Sequence, residues 1–175
     1  MDTSVGGDVL ADGAYVVARV GGLFFPLRRV EDDDHATVAD LGRYSSLAIY
    51  FGRGQRVRLS DGREWRITAV RHGGGLSPVV ADEGGRRVAQ AVRGVGNYGI
   101  TTASSAYSFD PAEGGRGRAR RWLLTHHEAT HAAFSRRPHT AIVHEPIPTG
   151  VGLLGLLLAL FGIPGEGGLG LPRPW

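Results

Sequence analysis

The chain has 175 residues and a net charge of +3, and all 20 of its basic residues are arginine. It contains no cysteine, which excludes a disulfide framework, a thiolate metal site and a cysteine nucleophile. A chain of this length favours one domain with a sizeable core. The first residues lack the basic and apolar segments of a signal peptide, so we expect a cytoplasmic protein.

Most of the chain has the pattern of short β-strands separated by turns. Residues 1–13 are predicted to be a flexible amino-terminal segment, and residues 31–34 an acidic loop. The strongest signal is strict alternation of apolar and polar residues over 55–59 and 64–71, on either side of an Asp-Gly turn. By the same criteria, further strands are expected at residues 14–20, 23–30, 45–51, 76–81, 86–92, 97–102, 106–109 and 139–144.

Residues 120–137 fit two alternatives. As a helix, the segment places Leu123, His127, His131 and Phe134 on one face. As a hairpin, it forms strands at 120–125 and 129–135 with a turn at 126–128. Periodicity leaves both open, and the alanines favour the helix slightly.

Residues 150–163 are predicted to form a helix that is apolar on every face, because they carry no charge and no polar side chain. Pro148 and Pro164 bound it on either side. A helix without a polar face has to be enclosed, and 14 residues span only about 21 Å, too short for a bilayer. A re-entrant or tail-anchor role is disfavoured by this length and by the Gly/Pro-rich tail at 164–175.

Together these patterns predict a mainly β domain over residues 14–163. We expect an antiparallel β-barrel or closed sandwich of about ten to twelve strands, enclosing a C-terminal hydrophobic helix at 150–163. This architecture resembles the tubby-like superfamily, with the LURP-one proteins and phospholipid scramblases. The resemblance implies a non-enzymatic binding or membrane-associating module. It carries over no individual binding residue.

The sharpest chemical motif is H-E-x-x-H at His127–His131. On a helix, His127 and His131 would ligate zinc and Glu128 would act as general base, as in a small zinc-dependent metallopeptidase. A third ligand with a standard spacing is missing, so this is the alternative hypothesis. The first hypothesis assigns no catalytic residue, no metal ligand and no cofactor.

An arginine-rich run is the candidate ligand-binding segment. Arg116, Arg118, Arg120 and Arg121 can contact phosphate groups, and the adjacent Trp122 fits either the core or a contact with a membrane interface or a base. We therefore expect an anionic lipid or membrane surface as partner, peripheral association with the membrane, and no specific nucleic acid. The G-x-G-x-x-G at Gly94–Gly99 is expected to be a hairpin, since strand-like residues follow it.

Overall fold

The computed structural model describes residues 8–21, 27–43, 53–72, 75–112, 121–136 and 138–161. These residues form fourteen strands and one helix. The strands are β1 (Val9–Leu10), β2 (Gly13–Val20), β3 (Leu27–Glu31), β4 (Thr37–Arg43), β5 (Gln55–Leu59), β6 (Glu64–His72), β7 (Gly75–Ala81), β8 (Arg87–Arg93), β9 (Tyr98–Thr101), β10 (Ala106–Pro111), β11 (Arg121–His126), β12 (Ala129–Arg136), β13 (His139–Val143) and β14 (Ile147–Pro148), and the helix is α1 (Thr149–Phe161).

Strands β2 to β13 form a closed antiparallel barrel in which each strand pairs with its neighbours in sequence and β13 closes against β2. The predicted barrel of ten to twelve strands around a C-terminal helix is therefore confirmed. A separate two-stranded sheet pairs Val9 with Pro148 and Leu10 with Ile147. Its strand β14 immediately precedes α1 in the chain, and the Thr149 N–H donates to the Asp8 carbonyl at 2.9 Å.

The helix is the centre of the core. Its residues from Val151 to Ala159 are buried, and its contacts run from β7 to β9 and from β11 to β13. Gly155 allows the helix to pack closely against β12, because a Cβ there would lie 2.5 Å from Cζ of Phe134. The sequence prediction of an enclosed helix is confirmed over Thr149–Phe161.

Residues 120–137 contain two strands, so the helical alternative for this segment is wrong. Trp122, Leu124 and Phe134 alternate into the core, and Trp122 pairs with Phe134 across β11 and β12. Propensity favoured helix only slightly, and burial of three large side chains against α1 outweighs it.

Strand β4 was not predicted. It contains Ala39, Asp40 and Gly42, which are weak strand formers, but Ala39 is fully buried in the barrel interior. The strands β1 and β14 are too short to have a sequence signal. The predicted strand at 45–51, most of the predicted amino-terminal segment and the predicted tail at 164–175 lie outside the described residues.

Because the barrel is an antiparallel meander, its connections alternate between two ends. One end carries the connections β2–β3, β4–β5, β6–β7, β8–β9, β10–β11 and β12–β13. The other carries the turns β3–β4, β5–β6, β7–β8, β9–β10 and β11–β12, with the small sheet and the start of α1. These two ends differ sharply in charge.

Candidate functional site

The first end of the barrel is lined with arginine, and we call it the arginine end. Among the described residues, eight arginines and one carboxylate, Asp110, lie at or beside the strand termini there. Asp110 is half-buried and accepts hydrogen bonds from Asn97 and Ser108. The arginines are Arg19, Arg28, Arg43, Arg53, Arg71, Arg93, Arg121 and Arg136.

Strand alternation directs several of these arginines toward the mouth of the barrel. Arg136 follows buried Phe134 by two positions, and Arg93 pairs with buried Tyr98. Arg19 and Arg28 pair with each other, and on each strand they lie two residues beyond the core-facing pair of Val17 and Val30. Side chains two positions apart share one face of a strand, so these arginines continue the inward-facing rows beyond the core.

The second end, which we call the acidic end, has the opposite composition. Twelve carboxylates and four arginines of the described residues lie in its turns and strand termini, and the arginines are Arg58, Arg63, Arg86 and Arg87. The carboxylates belong to Asp8, Asp12, Glu31, Asp32, Asp33, Asp34, Asp61, Glu64, Asp82, Glu83, Glu128 and Glu145.

Many acidic-end carboxylates are satisfied locally. Arg63 donates to Asp61 at 2.7 Å and to Asp8 at 2.8 Å, and its hydrogen bond holds the pKa of Asp61 below the usual value. The backbone N–H of Arg86 likewise lowers the pKa of Asp82. The turns are thereby fixed by their own ion pairs and Asx-type hydrogen bonds.

The helix runs from the acidic end toward the arginine end. Gly150 lies beside Val88 and Ala89, and Gly152 beside Leu10, so the helix enters among residues of the acidic end. Its carboxyl-terminal end carries a partial charge of about −0.5, which nearby cations stabilise. One or two arginines are enough to offset this partial charge, so the helix end does not account for the eight arginines at this end of the barrel.

Of the predicted arginine run, the structure describes Arg121, which is exposed at the arginine end and opposite Ser135. Arg116, Arg118 and Arg120 lie outside the described residues. Trp122 is only 1 % exposed, so of its predicted positions the structure confirms the core.

The H-E-x-x-H motif forms a hairpin turn rather than a helix. His126 pairs with Ala129, which leaves His127 and Glu128 as a two-residue loop, and both have positive φ, 48° and 66°. Those angles define a type I′ turn. The one-turn helical spacing that would bring His127 and His131 to one zinc ion is therefore absent.

The imidazoles nevertheless lie near one another. The ring centroids of His126 and His127 are 4.0 Å apart, and those of His126 and His131 are 5.7 Å apart. Nδ1 of His126 is 2.7 Å from the Ala106 carbonyl, and Nδ1 of His131 is 3.3 Å from Glu145. Across the part of the chain that the structure describes, no three His, Asp or Glu side chains are grouped to hold a metal ion.

Comparison of the chain with models of protein families, with characterised proteins and with solved structures found no match. The described residues include no helix long and apolar enough to cross a bilayer. The described residues form a closed twelve-stranded barrel around a central helix, with oppositely charged ends.

The arginine end could not be found from the sequence. Its described members are spread from position 19 to position 136, mostly one or two at a time. The usable signal is their regular occurrence near alternate strand ends, which becomes visible once the strands are ordered in a meander.

Proposed function

We propose that the protein is a non-enzymatic module that binds the surface of anionic membranes through the arginine end of its barrel. The observation that supports this proposal is the segregation of charge between the two ends. An arginine near an anionic bilayer contributes about 1 kcal/mol, and the contribution decays over a Debye length of about 8 Å at physiological salt. Several arginines with few carboxylates beside them are needed for useful affinity, and among the described residues the arginine end has eight arginines and one carboxylate.

The orientation follows from the same charges. With the arginine end toward the bilayer, the twelve carboxylates of the acidic end are held away from the anionic surface. Arginine also forms bidentate hydrogen bonds with phosphate, which suits lipid headgroups. Val95 adds an apolar contact, because it is fully exposed at the tip of the β8–β9 hairpin of this end.

The proposal includes the predicted arginine run. Ala112 and Arg121, which flank residues 113–120, both lie at the arginine end. By sequence, Arg116, Arg118 and Arg120 belong to that connection, so we propose that they add to the same binding surface. On this basis, the protein is expected at the cytoplasmic face of a membrane, in keeping with the predicted resemblance to tubby-like modules.

Vesicle co-sedimentation tests the proposal. The protein should bind vesicles of phosphatidylcholine with about 30 % phosphatidylserine, should not bind pure phosphatidylcholine, and should dissociate as salt is raised. Replacing Arg71 and Arg121 by glutamine should weaken binding about 30-fold, since two arginines supply about 2 kcal/mol. In the matched control, glutamine replaces Arg86 and Arg87 at the acidic end, so the loss of net charge is the same.

Two results would contradict the proposal. One is an equal loss of binding in the control pair, which would mean that only net charge matters. The other is tight binding of duplex DNA together with no binding of anionic vesicles, which would assign the arginine end to nucleic acid instead.

A further inference from the structure

A second site that contains arginine lies on the side of the barrel, away from the arginine end. It is an open groove of about 770 Å³ over the outer faces of β5, β6 and β7, bounded by the β5–β6 and β7–β8 turns. A volume of this size suits a small-molecule ligand. We call it the side groove; its lining includes Arg56, Arg58, Glu64, Arg66 and Glu83.

The pairing of β5 with β6 places two arginines directly opposite each other. Arg56 faces Arg66, and like charges in this position are unfavourable. Within the described residues, neither guanidinium forms an ion pair. The adjacent Arg58 differs, because Glu64 lies opposite it and the two side chains are joined at 3.2 Å. An anion between Arg56 and Arg66 would relieve the repulsion.

The aliphatic stem of Arg66 lies over Gly54. A Cβ at position 54 would lie 2.8 Å from both Cγ and Cδ of Arg66, so the stem of this arginine lies across the glycine. Gly54 also has φ +71°, which disfavours any other residue there. The stem of Arg66 therefore packs against this glycine, while the side chain as a whole stays exposed to a ligand.

The carboxylates of the groove are engaged by protein groups. Glu83 accepts from the Glu64 N–H at 2.7 Å, and Asp82 accepts from the N–H and Nε of Arg86 at 2.8 and 2.9 Å. They keep acceptor capacity on their outer side, because a carboxylate has about four lone-pair positions. The groove therefore combines two available guanidinium groups with hydrogen-bond acceptors.

From this arrangement we infer that the side groove binds a small phosphate monoester that carries hydroxyl groups, such as a sugar phosphate. Arg56 and Arg66 form bidentate hydrogen bonds with the phosphate, and Arg58, held by Glu64, contributes charge from one side. The hydroxyl groups donate to Glu83 and Asp82. The three carboxylates of the lining balance the three arginines, which disfavours an extended anionic surface as the ligand.

Isothermal titration calorimetry on the full chain tests this inference, with glucose 6-phosphate, inorganic phosphate and glucose as the ligands. We expect glucose 6-phosphate to bind more tightly than inorganic phosphate, and glucose not to bind. Either Arg56→Gln or Arg66→Gln should weaken the binding of glucose 6-phosphate about 10-fold or more. Arg71→Gln is the matched control, because Arg71 lies on the same strand as Arg66 but at the arginine end.

The same variants separate this site from the membrane surface. Arg56→Gln and Arg66→Gln should leave vesicle binding unchanged. The inference is overturned if millimolar glucose 6-phosphate does not bind, if glucose binds equally well, or if Arg71→Gln weakens the binding as much as Arg66→Gln. It is also overturned if Arg56→Gln and Arg66→Gln weaken vesicle binding but leave the binding of glucose 6-phosphate unchanged, since the groove would then bind the lipid surface.

Discussion

Replacing Gly155 by alanine tests the central placement of the helix, because it reverses the usual sign of a glycine-to-alanine change. In a helix interior, alanine is ordinarily more stable than glycine by about 1 kcal/mol. Here the added methyl would lie 2.5, 2.6 and 3.0 Å from three ring atoms of Phe134. Phe134 is fully buried and packs edge-on against Phe109 at 5.4 Å, so its ring cannot swing aside.

The net change in the free energy of unfolding follows from the helical preference for alanine and the cost of overpacking against Phe134. Overpacking a well-filled core costs about 1–3 kcal/mol, from which the helical preference for alanine recovers about 1 kcal/mol. Three contacts of 3.0 Å or less place the overpacking cost in the upper part of this range, about 2–3 kcal/mol, so we expect Gly155→Ala to lower the free energy of unfolding by about 1–2 kcal/mol. Urea denaturation, monitored by tryptophan fluorescence, measures this change in the free energy of unfolding.

Two further variants make the test specific. Gly152→Ala is the matched control: its nearest neighbour is the Cδ1 methyl of Leu10, the end of a rotatable side chain, so it should cost less than Gly155→Ala. Adding Phe134→Leu to Gly155→Ala should cost less than the sum of the two single changes, which is a favourable coupling. A Gly155→Ala protein as stable as the wild type would refute the placement of the helix against β12.

Three other predictions follow from burial and backbone geometry. Leu157→Arg, in the buried helix, should abolish cooperative unfolding because it buries an unpaired charge, whereas Ile142→Arg on the outer face should change the free energy of unfolding by less than about 0.5 kcal/mol. A folded Leu157→Arg protein would count against an enclosed helix. Burial raises the pKa of Tyr98 above 10.0, so the folded protein keeps a phenol proton that the unfolded chain loses, and stability should fall as pH rises above about 10. Tyr98→Phe should reduce that decline, measured by denaturation at several pH values. Replacing His127 and Glu128 by Asn-Gly should raise the free energy of unfolding by about 1–2 kcal/mol, because the two residues occupy the left-handed region; a loss of stability would argue against the type I′ turn.

The sequence determined the main features of the fold. The alternation over residues 55–59 and 64–71 predicted β5 and β6 nearly to the residue, because one face of each strand is buried and the other is exposed to solvent. The uncharged run after Pro148 predicted an enclosed helix, since no polar face is available for water. A closed sheet was then the arrangement that could surround it.

The tertiary structure decided the local ambiguity and both candidate sites. The periodicity of residues 120–137 fits both a helix and a hairpin, and the alanines favour the helix slightly. Only the burial of Trp122 and Phe134 around α1 selects the hairpin. That choice turns H-E-x-x-H from a possible zinc motif into a turn. The arginine end and the Arg56–Arg66 pair depend on strand order and register, which bring together charges that are distant or unremarkable in the chain. Side-chain pattern reports burial one strand at a time, whereas a binding surface depends on which strands become neighbours.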